Sequence, residues 1–265
     1  MIISPTRGFV FFKPMKTAGS SVEFALALSC GPDDLVTGGM TGDEHEAGFL
    51  QQNNEYYDEI EKEVKSKFHP HTTPDSLKER ISPEQFSDIE DLTWVTMSRN
   101  PWDTIVSFYW WGLSLHTEAN EEFIITESDS NKTAKDKFSN FLFFNVGIHA
   151  GITPNSQDII NGWKYIQKYN TQFVDPRMDH YIRYENIEQD FEHVVDTLGL
   201  YNVELPRFKT TQKKIKKHYS YYYTNETKQI VAEGFKDYIE KFDYKFEWKD
   251  KKMSRRERAN RRRDK

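Results

Sequence analysis

Lys16, Thr17, Ser20 and Ser21 place one charge and three hydroxyls within six residues, in the run Lys13-Pro14-Met15-Lys16-Thr17-Ala18-Gly19-Ser20-Ser21. An apolar stretch, Gly8-Phe9-Val10-Phe11-Phe12, leads into this run, and Val22 to Leu28 follows with helical character, so the pattern predicts a strand, a loop and a helix. Such a junction aims backbone N–H groups and the positive end of the helix dipole at one spot, which suits a phosphate or sulfate. The nucleotide-triphosphatase loop G-x-x-x-x-G-K-[ST] is absent here, because lysine precedes the only glycine. An ordinary turn carrying a solvated lysine is the alternative, and Lys13 is as compatible with solvent as with a ligand.

A second junction repeats the pattern. Leu92 to Ser98 reads as a buried strand, Arg99-Asn100-Pro101-Trp102-Asp103 interrupts it, and Thr104 to Trp111 resumes as a helix. Proline near the helix start needs no N–H partner, and Asp103 suits the first turn. Arg99, at the strand end, can grip a phosphate through two parallel hydrogen bonds, and Ser107 can add a hydroxyl from the helix. Two anion sites imply a doubly charged nucleotide. For proton transfer, Phe68-His69-Pro70-His71-Thr72-Thr73-Pro74 offers His69 and His71, imidazoles poised near neutral pH, with a carboxylate base or a structural histidine pair as alternatives. Two histidines without a nearby cysteine or carboxylate set make a poor metal site.

These segments resemble a known family. Lys16 to Ser21 is similar to the 5′-phosphosulfate-binding loop of the sulfotransferases, and Ser98-Arg99-Asn100-Pro101-Trp102-Asp103 through Ser107 is similar to their 3′-phosphate-binding motif. His71-Thr72-Thr73-Pro74, Tyr181 to Ile187, and His218-Tyr219 through Phe246 extend the likeness over about residues 8 to 247. The resemblance is to the carbohydrate-type branch found in bacteria, their viruses and the animal Golgi. It implies an α/β, P-loop-like sulfotransferase fold with a central, mainly parallel sheet flanked by helices. It further implies 3′-phosphoadenosine 5′-phosphosulfate as donor, adenosine 3′,5′-bisphosphate as product, no metal requirement, and a hydroxyl acceptor, expected to be a glycan. On this likeness Lys16 contacts the bridging oxygen and the transferred sulfuryl group. The backbone of Thr17, Ala18 and Gly19 and the hydroxyls of Ser20 and Ser21 hold the 5′-phosphate, Arg99 and Ser107 hold the 3′-phosphate, and His71 matches the family's proposed base. A nucleotide- or sulfoglycan-binding protein that has lost turnover, and a P-loop kinase, are the competing classes.

The 265 residues suit one substantial core, and the reading assigns 1–250 to a catalytic domain and the basic 251–265 to a disordered tail. With 37% apolar and 15% aromatic residues, Phe, Tyr and Trp must supply much of that core. A net charge of −6 argues against nucleic acid or an anionic membrane as the main partner. One cysteine, Cys30, excludes an internal disulfide, and the chain shows no signal peptide or twenty-residue apolar span, so a soluble, cytoplasmic protein of a bacterium or phage-infected cell is expected. Cys30, Trp102, Trp110 and Trp111 read as core residues. Further expectations are strands at Gln172 to Val174 and Tyr181 to Tyr184, a helix capped by Asn186 and ended by Gly199, and one late helix from Asn225 to Phe242. Helices should begin after Thr73 and Ser82. Gly38 to Lys67 and the Leu115 to Lys137 excursion are expected at the surface, shaping the acceptor cleft, and the Lys209 to Lys217 run is either a solvated loop or, as the resemblance implies, a loop that closes over the nucleotide.

Overall fold

In the computed structural model the described residues are 1–37, 68–115, 123–143, 162–206, 215 and 217–248. The Gly38 to Lys67 segment, most of the Lys209 to Lys217 run and the basic tail lie outside them. The chain forms two compact units, Met1–Asn100 with Lys164–Gln212, and Pro101–Trp163 with Lys213–Lys265.

In chain order the elements are β1 (Ile2–Ser4), β2 (Phe9–Phe11), α1 (Gly19–Ala27), β3 (Leu35–Val36), α2 (Pro74–Arg80), α3 (Pro83–Glu90), β4 (Thr93–Ser98), α4 (Pro101–Leu115), α5 (Asn131–Phe143), α6 (Gly162–Thr171), β5 (His180–Arg183), α7 (Ile187–Thr197), α8 (Asn225–Gly234) and α9 (Lys236–Phe242). All five strands belong to the first unit and form one sheet in the order β3-β1-β2-β4-β5. β2, β4 and β5 run parallel, as expected, but β1 pairs antiparallel with both β2 and β3, so the sheet is mixed rather than mainly parallel. The reason is connection length: four residues link β1 to β2, enough for a reversal and far too few for the crossover that parallel neighbours need.

Alternation along the strands loads both faces of the sheet. Ile2, Phe9, Phe11, Val95, Met97 and Ile182 pack with Val22, Ala25 and Leu26 of α1 and with Phe191 and Val194 of α7. Their neighbours Ile3, Val10, Phe12 and Trp94 pack on the opposite face with Leu77, Phe86 and Ile89 of α2 and α3. Burial on both faces explains the unbroken apolar run of β2 and the continuous burial of Trp94 to Ser98 in β4, where Thr96 and Ser98 are buried along with the apolar residues. Because β2, β4 and β5 are parallel, their carboxyl ends share one edge, where open α/β sheets bind ligands.

Thr73 and Ser82 cap α2 and α3 as their Pro-containing starts predict, Ser82 in a full capping box with Gln85. Gln172 to Val174 is a turn rather than a strand, since it follows α6 at once and Phe173 turns inward against the sheet. Gly199 ends α7 at φ +62, and Asn186 sits at its N-cap position without a side-chain cap bond. The late helix is two, because the backbone departs from helical geometry at Phe235, whose ring is buried.

The second unit has an aromatic core. Tyr109 of α4 meets Phe138 and Phe141 of α5 edge-on, and Phe138 also contacts Tyr222 and Tyr223. Trp102 and Trp110 are buried there with their indole N–H groups bonded to the Lys228 carbonyl and the Tyr222 hydroxyl, so they serve as core residues. The Leu115 to Lys137 segment is not merely a surface excursion: Phe123 and Ile125 are buried, and residues from Asn131 onward belong to α5. Among the described residues, no helix is long and apolar enough to cross a membrane.

Candidate anion site

The loop between β2 and α1 has an unusual backbone. Lys16 and Ala18 both adopt positive φ, 61° and 68°, a left-handed conformation that costs a residue with a Cβ about 1 to 2 kcal/mol. Side chains from four different places hold it there by taking its carbonyl oxygens one after another. His71 Nδ1 lies 2.6 Å from the Lys13 oxygen, and the Thr17 hydroxyl donates to Pro14 at 3.0 Å. Asn170 Nδ2 donates to Met15 at 2.9 Å, and Arg99 Nη1 donates to Lys16 at 2.7 Å.

The consequence follows from peptide geometry. In a trans peptide the C=O of one residue and the N–H of the next point in opposite directions, and no peptide bond here is cis. Turning the Met15 and Lys16 carbonyls toward Asn170 and Arg99 therefore turns the Lys16 and Thr17 N–H groups the other way. Two consecutive N–H groups held in this manner, beside the N-terminus of α1, form the kind of concavity that receives an anion. Lys16, Ala18 and Ser20 are half-buried while Thr17, Gly19 and Ser21 are buried, so the loop alternates between an accessible side and a packed side. The Thr17 hydroxyl belongs to the packed side. A Cβ on Gly19 would sit 2.5 Å from Lys13 Cγ, which is why the chain needs glycine there.

Lys13 is neither solvated nor turned to a ligand. It is 3% exposed and ion-paired with Glu23 of α1, which also receives the Met1 amine. Burial alone would push the Glu23 carboxyl up, but these two cations hold it below the ordinary carboxylate range.

His71 is placed by a turn that its own sequence builds. Thr72 both accepts from the His69 N–H at 3.0 Å and donates to the His69 carbonyl at 2.6 Å, while Thr73 caps α2. A carbonyl oxygen only accepts, so His71 carries its proton on Nδ1 and keeps a lone pair on Nε2. Burial, followed by the Lys13 charge, drives its pKa from 6.5 to about 3, so the ring is neutral at physiological pH. His69 is exposed and accepts the His71 backbone N–H on Nδ1 at 3.1 Å. Among the described residues, no three His, Cys, Asp or Glu side chains gather as metal ligands would.

Arg99 is 5% exposed and stacks on Tyr184, its guanidinium carbon 3.8 Å from the ring centroid. The next residue, Asn100, donates its N–H to Glu185 at 2.7 Å. The structure thus brings Lys16, Thr17, Ala18, Gly19, Ser20, Ser21, His71 and Arg99 to one edge of the first unit. Ser107 lies on α4 in the second unit, half-buried on the same helical stripe as Asp103 and Trp111. Cys30 bonds to the Leu26 carbonyl, and burial raises its thiol to about 12, which removes it as a nucleophile.

Sequence reasoning missed Asn170, Glu23 and Tyr184. Asn170 sits 155 residues from its partner on a helix not foreseen. Glu23 is masked by its apolar neighbours, and Tyr184 was visible only as the end of a strand. In comparisons with known proteins, the chain matches no protein-family model and no curated protein.

Proposed function

We propose that this protein is a sulfotransferase, moving a sulfuryl group from 3′-phosphoadenosine 5′-phosphosulfate to an acceptor hydroxyl on a saccharide. The observation that carries the reading is the loop whose four successive carbonyls are capped, because it makes residues 16–20 receptive to a highly charged anion at the carboxyl edge of parallel strands. The motif likeness then selects the nucleotide. In this reading the loop N–H groups and Ser20 hold the 5′-phosphate. Arg99 serves the 3′-phosphate, together with Ser107, whose assignment rests on the sequence alone.

The chemistry asks two things of the chain. Lys16 stabilises the electron pair that stays on the 5′-phosphate oxygen as its bond to sulfur breaks. His71 Nε2 accepts the proton of the acceptor hydroxyl as that oxygen bonds to sulfur. The Nδ1–H held by Lys13 fixes the ring in the tautomer this step requires, much as a carboxylate orients other catalytic histidines. A His71 pKa near 3 makes a weak base, and the negative charge of a bound donor raises it toward the useful range. The single cysteine fits a reducing, cytoplasmic setting.

Incubation of the protein with donor and a panel of glycans and small phenols, followed by mass spectrometry, tests the proposal. A sulfated glycan is the expected product. Nucleotide binding without product from any acceptor would favour a binding protein, and magnesium-dependent preference for ATP over adenosine 3′,5′-bisphosphate would favour a kinase.

A further inference from the structure

Asn170 lies in the last turn of α6, 3% exposed, and its carboxamide spans a single loop residue: Oδ1 accepts from the Met15 N–H and Nδ2 donates to the Met15 carbonyl, both at 2.9 Å. Both faces of that residue's backbone are thereby fixed by one buried side chain. The pairing also settles the amide's orientation, since the N–H must meet the oxygen and the carbonyl the nitrogen. We propose that Asn170 is a positioning residue for the anion-binding loop, holding Met15 so that the Lys16 N–H and side chain meet the transferring group.

Met15 immediately precedes the first left-handed residue, Lys16 at φ 61, so a rotation there swings Lys16 as a whole. The Thr17 hydroxyl holds the Pro14–Met15 peptide plane through the Pro14 carbonyl, while Asn170 holds that same plane through the Met15 N–H and the next one, Met15–Lys16, through the Met15 carbonyl. Any side chain at position 170 that cannot both donate and accept would leave a buried backbone group without its partner, a loss equivalent to about 5- to 150-fold in an equilibrium. The inference rests on the proposed reading of the loop as the donor's 5′ cradle, and it deepens that reading by adding a residue that never touches the donor.

Asn170→Asp supplies the test, because a protonated carboxyl both donates and accepts like the amide, whereas the carboxylate only accepts and adds a negative charge beside the loop. Calorimetry would measure adenosine 3′,5′-bisphosphate and, separately, inorganic pyrophosphate on parent and variant between pH 5 and 8, with each corrected for its own fraction folded. At pH 8 the variant is expected to bind both probes at least about 10-fold more weakly than the parent, with the gap narrowing as pH falls. Asn170→Leu should weaken binding at every pH, with no such recovery. At saturating donor, kcat of the Asp variant should fall while the acceptor KM holds.

Folded variants with parental affinity at every pH would overturn the inference, as would an Asp deficit that does not respond to pH. If the parent binds pyrophosphate but not the nucleotide, the sulfotransferase reading fails while Asn170 is still judged by pyrophosphate. A parent that binds neither probe overturns both.

Discussion

Arg99 donates to the backbone carbonyl of Lys16 at 2.7 Å, so the two cations that the proposed function assigns to opposite ends of one nucleotide are joined through the loop's own main chain. The same guanidinium stacks on Tyr184, just beyond β5. One side chain thus ties together the carboxyl ends of β2, β4 and β5. In the proposed function a charge placed this way would serve twice, contacting the nucleotide's 3′-phosphate and holding the Lys16 carbonyl in place.

Arg99→Ala should therefore weaken binding of both adenosine 3′,5′-bisphosphate and adenosine 5′-phosphate, and the former more. Loss of the charge-assisted bond is worth about 1.5 to 3 kcal/mol, and the missing phosphate contact adds to it for the bisphosphate alone. Calorimetry with the two nucleotides reads the difference. Equal losses would leave Arg99 as a clamp on the loop and move the 3′-phosphate contact elsewhere.

Lys16→Ala should depress turnover by about 10² or more while nucleotide affinity falls much less, because charge on the leaving oxygen is greatest in the transition state. Single-turnover kinetics at saturating donor separate the two. A variant with parental kcat and raised donor KM would reassign Lys16 to ground-state binding.

How much of this was legible beforehand depends on sequence distance. The strand–loop–helix units around Lys16 and Arg99, the capped starts of α2 and α3, and Gly199 as a helix stop are local patterns, and local chemistry specifies them. Lys13 is the instructive failure. Nothing near it advertised Glu23 as its buried partner, since Glu23 lies between Val22 and Phe24 in the otherwise apolar run that ends at Leu28. β1 and β3 escaped notice because at three and two residues they are too short to show a period. The mixed sheet follows from β1, so missing that strand also made the sheet look mainly parallel. Asn170 exerts its effect only once α6 is brought beside the loop, and such non-local hydrogen bonds leave no mark on spacing.

His71 gives a pH signature with a definite sign. Its folded pKa, about 3, lies below the ordinary 6.5, so the unfolded chain binds more protons between those values. The stability that its neutral form contributes is complete above pH 6.5 and is lost progressively as pH falls toward 3. His71→Gln can donate an amide N–H to Lys13 but does not titrate. Urea unfolding at a series of pH values should show the parent losing more stability than this variant across that window. In kinetics, the variant should lose about 10² to 10⁴ in the chemical step. The parent's acidic limb should lie higher in kcat, which reports the donor complex, than in the kcat/KM for donor, which reports the free protein. Coincident limbs would show that donor charge does not reach the ring.

The Leu115 to Lys137 segment, expected outside the sheet as a surface excursion that shapes the acceptor cleft, is tied at Phe123 and Ile125 to the core of the second unit by the hydroxyl of Tyr109. That hydroxyl donates to the Phe123 carbonyl at 2.5 Å and accepts from the Ile125 N–H at 3.2 Å, while Lys137 reaches Asp129 at 2.8 Å across the turn that follows. Deleting Leu115 to Lys137 would remove buried Phe123, Ile125 and Ala134 and cannot test acceptor binding cleanly. Tyr109→Phe is the sharper probe, because it keeps the ring against Phe138 and Phe141 and leaves two buried backbone groups without their partner. It should cost about 1 to 3 kcal/mol in urea unfolding with an unchanged m-value. If the segment also contacts a saccharide, the variant should raise the glycan KM and leave bisphosphate affinity at the parental level. A stability loss with unaltered glycan kinetics would confine Phe123 to Asp129 to a structural role and move the acceptor contacts elsewhere.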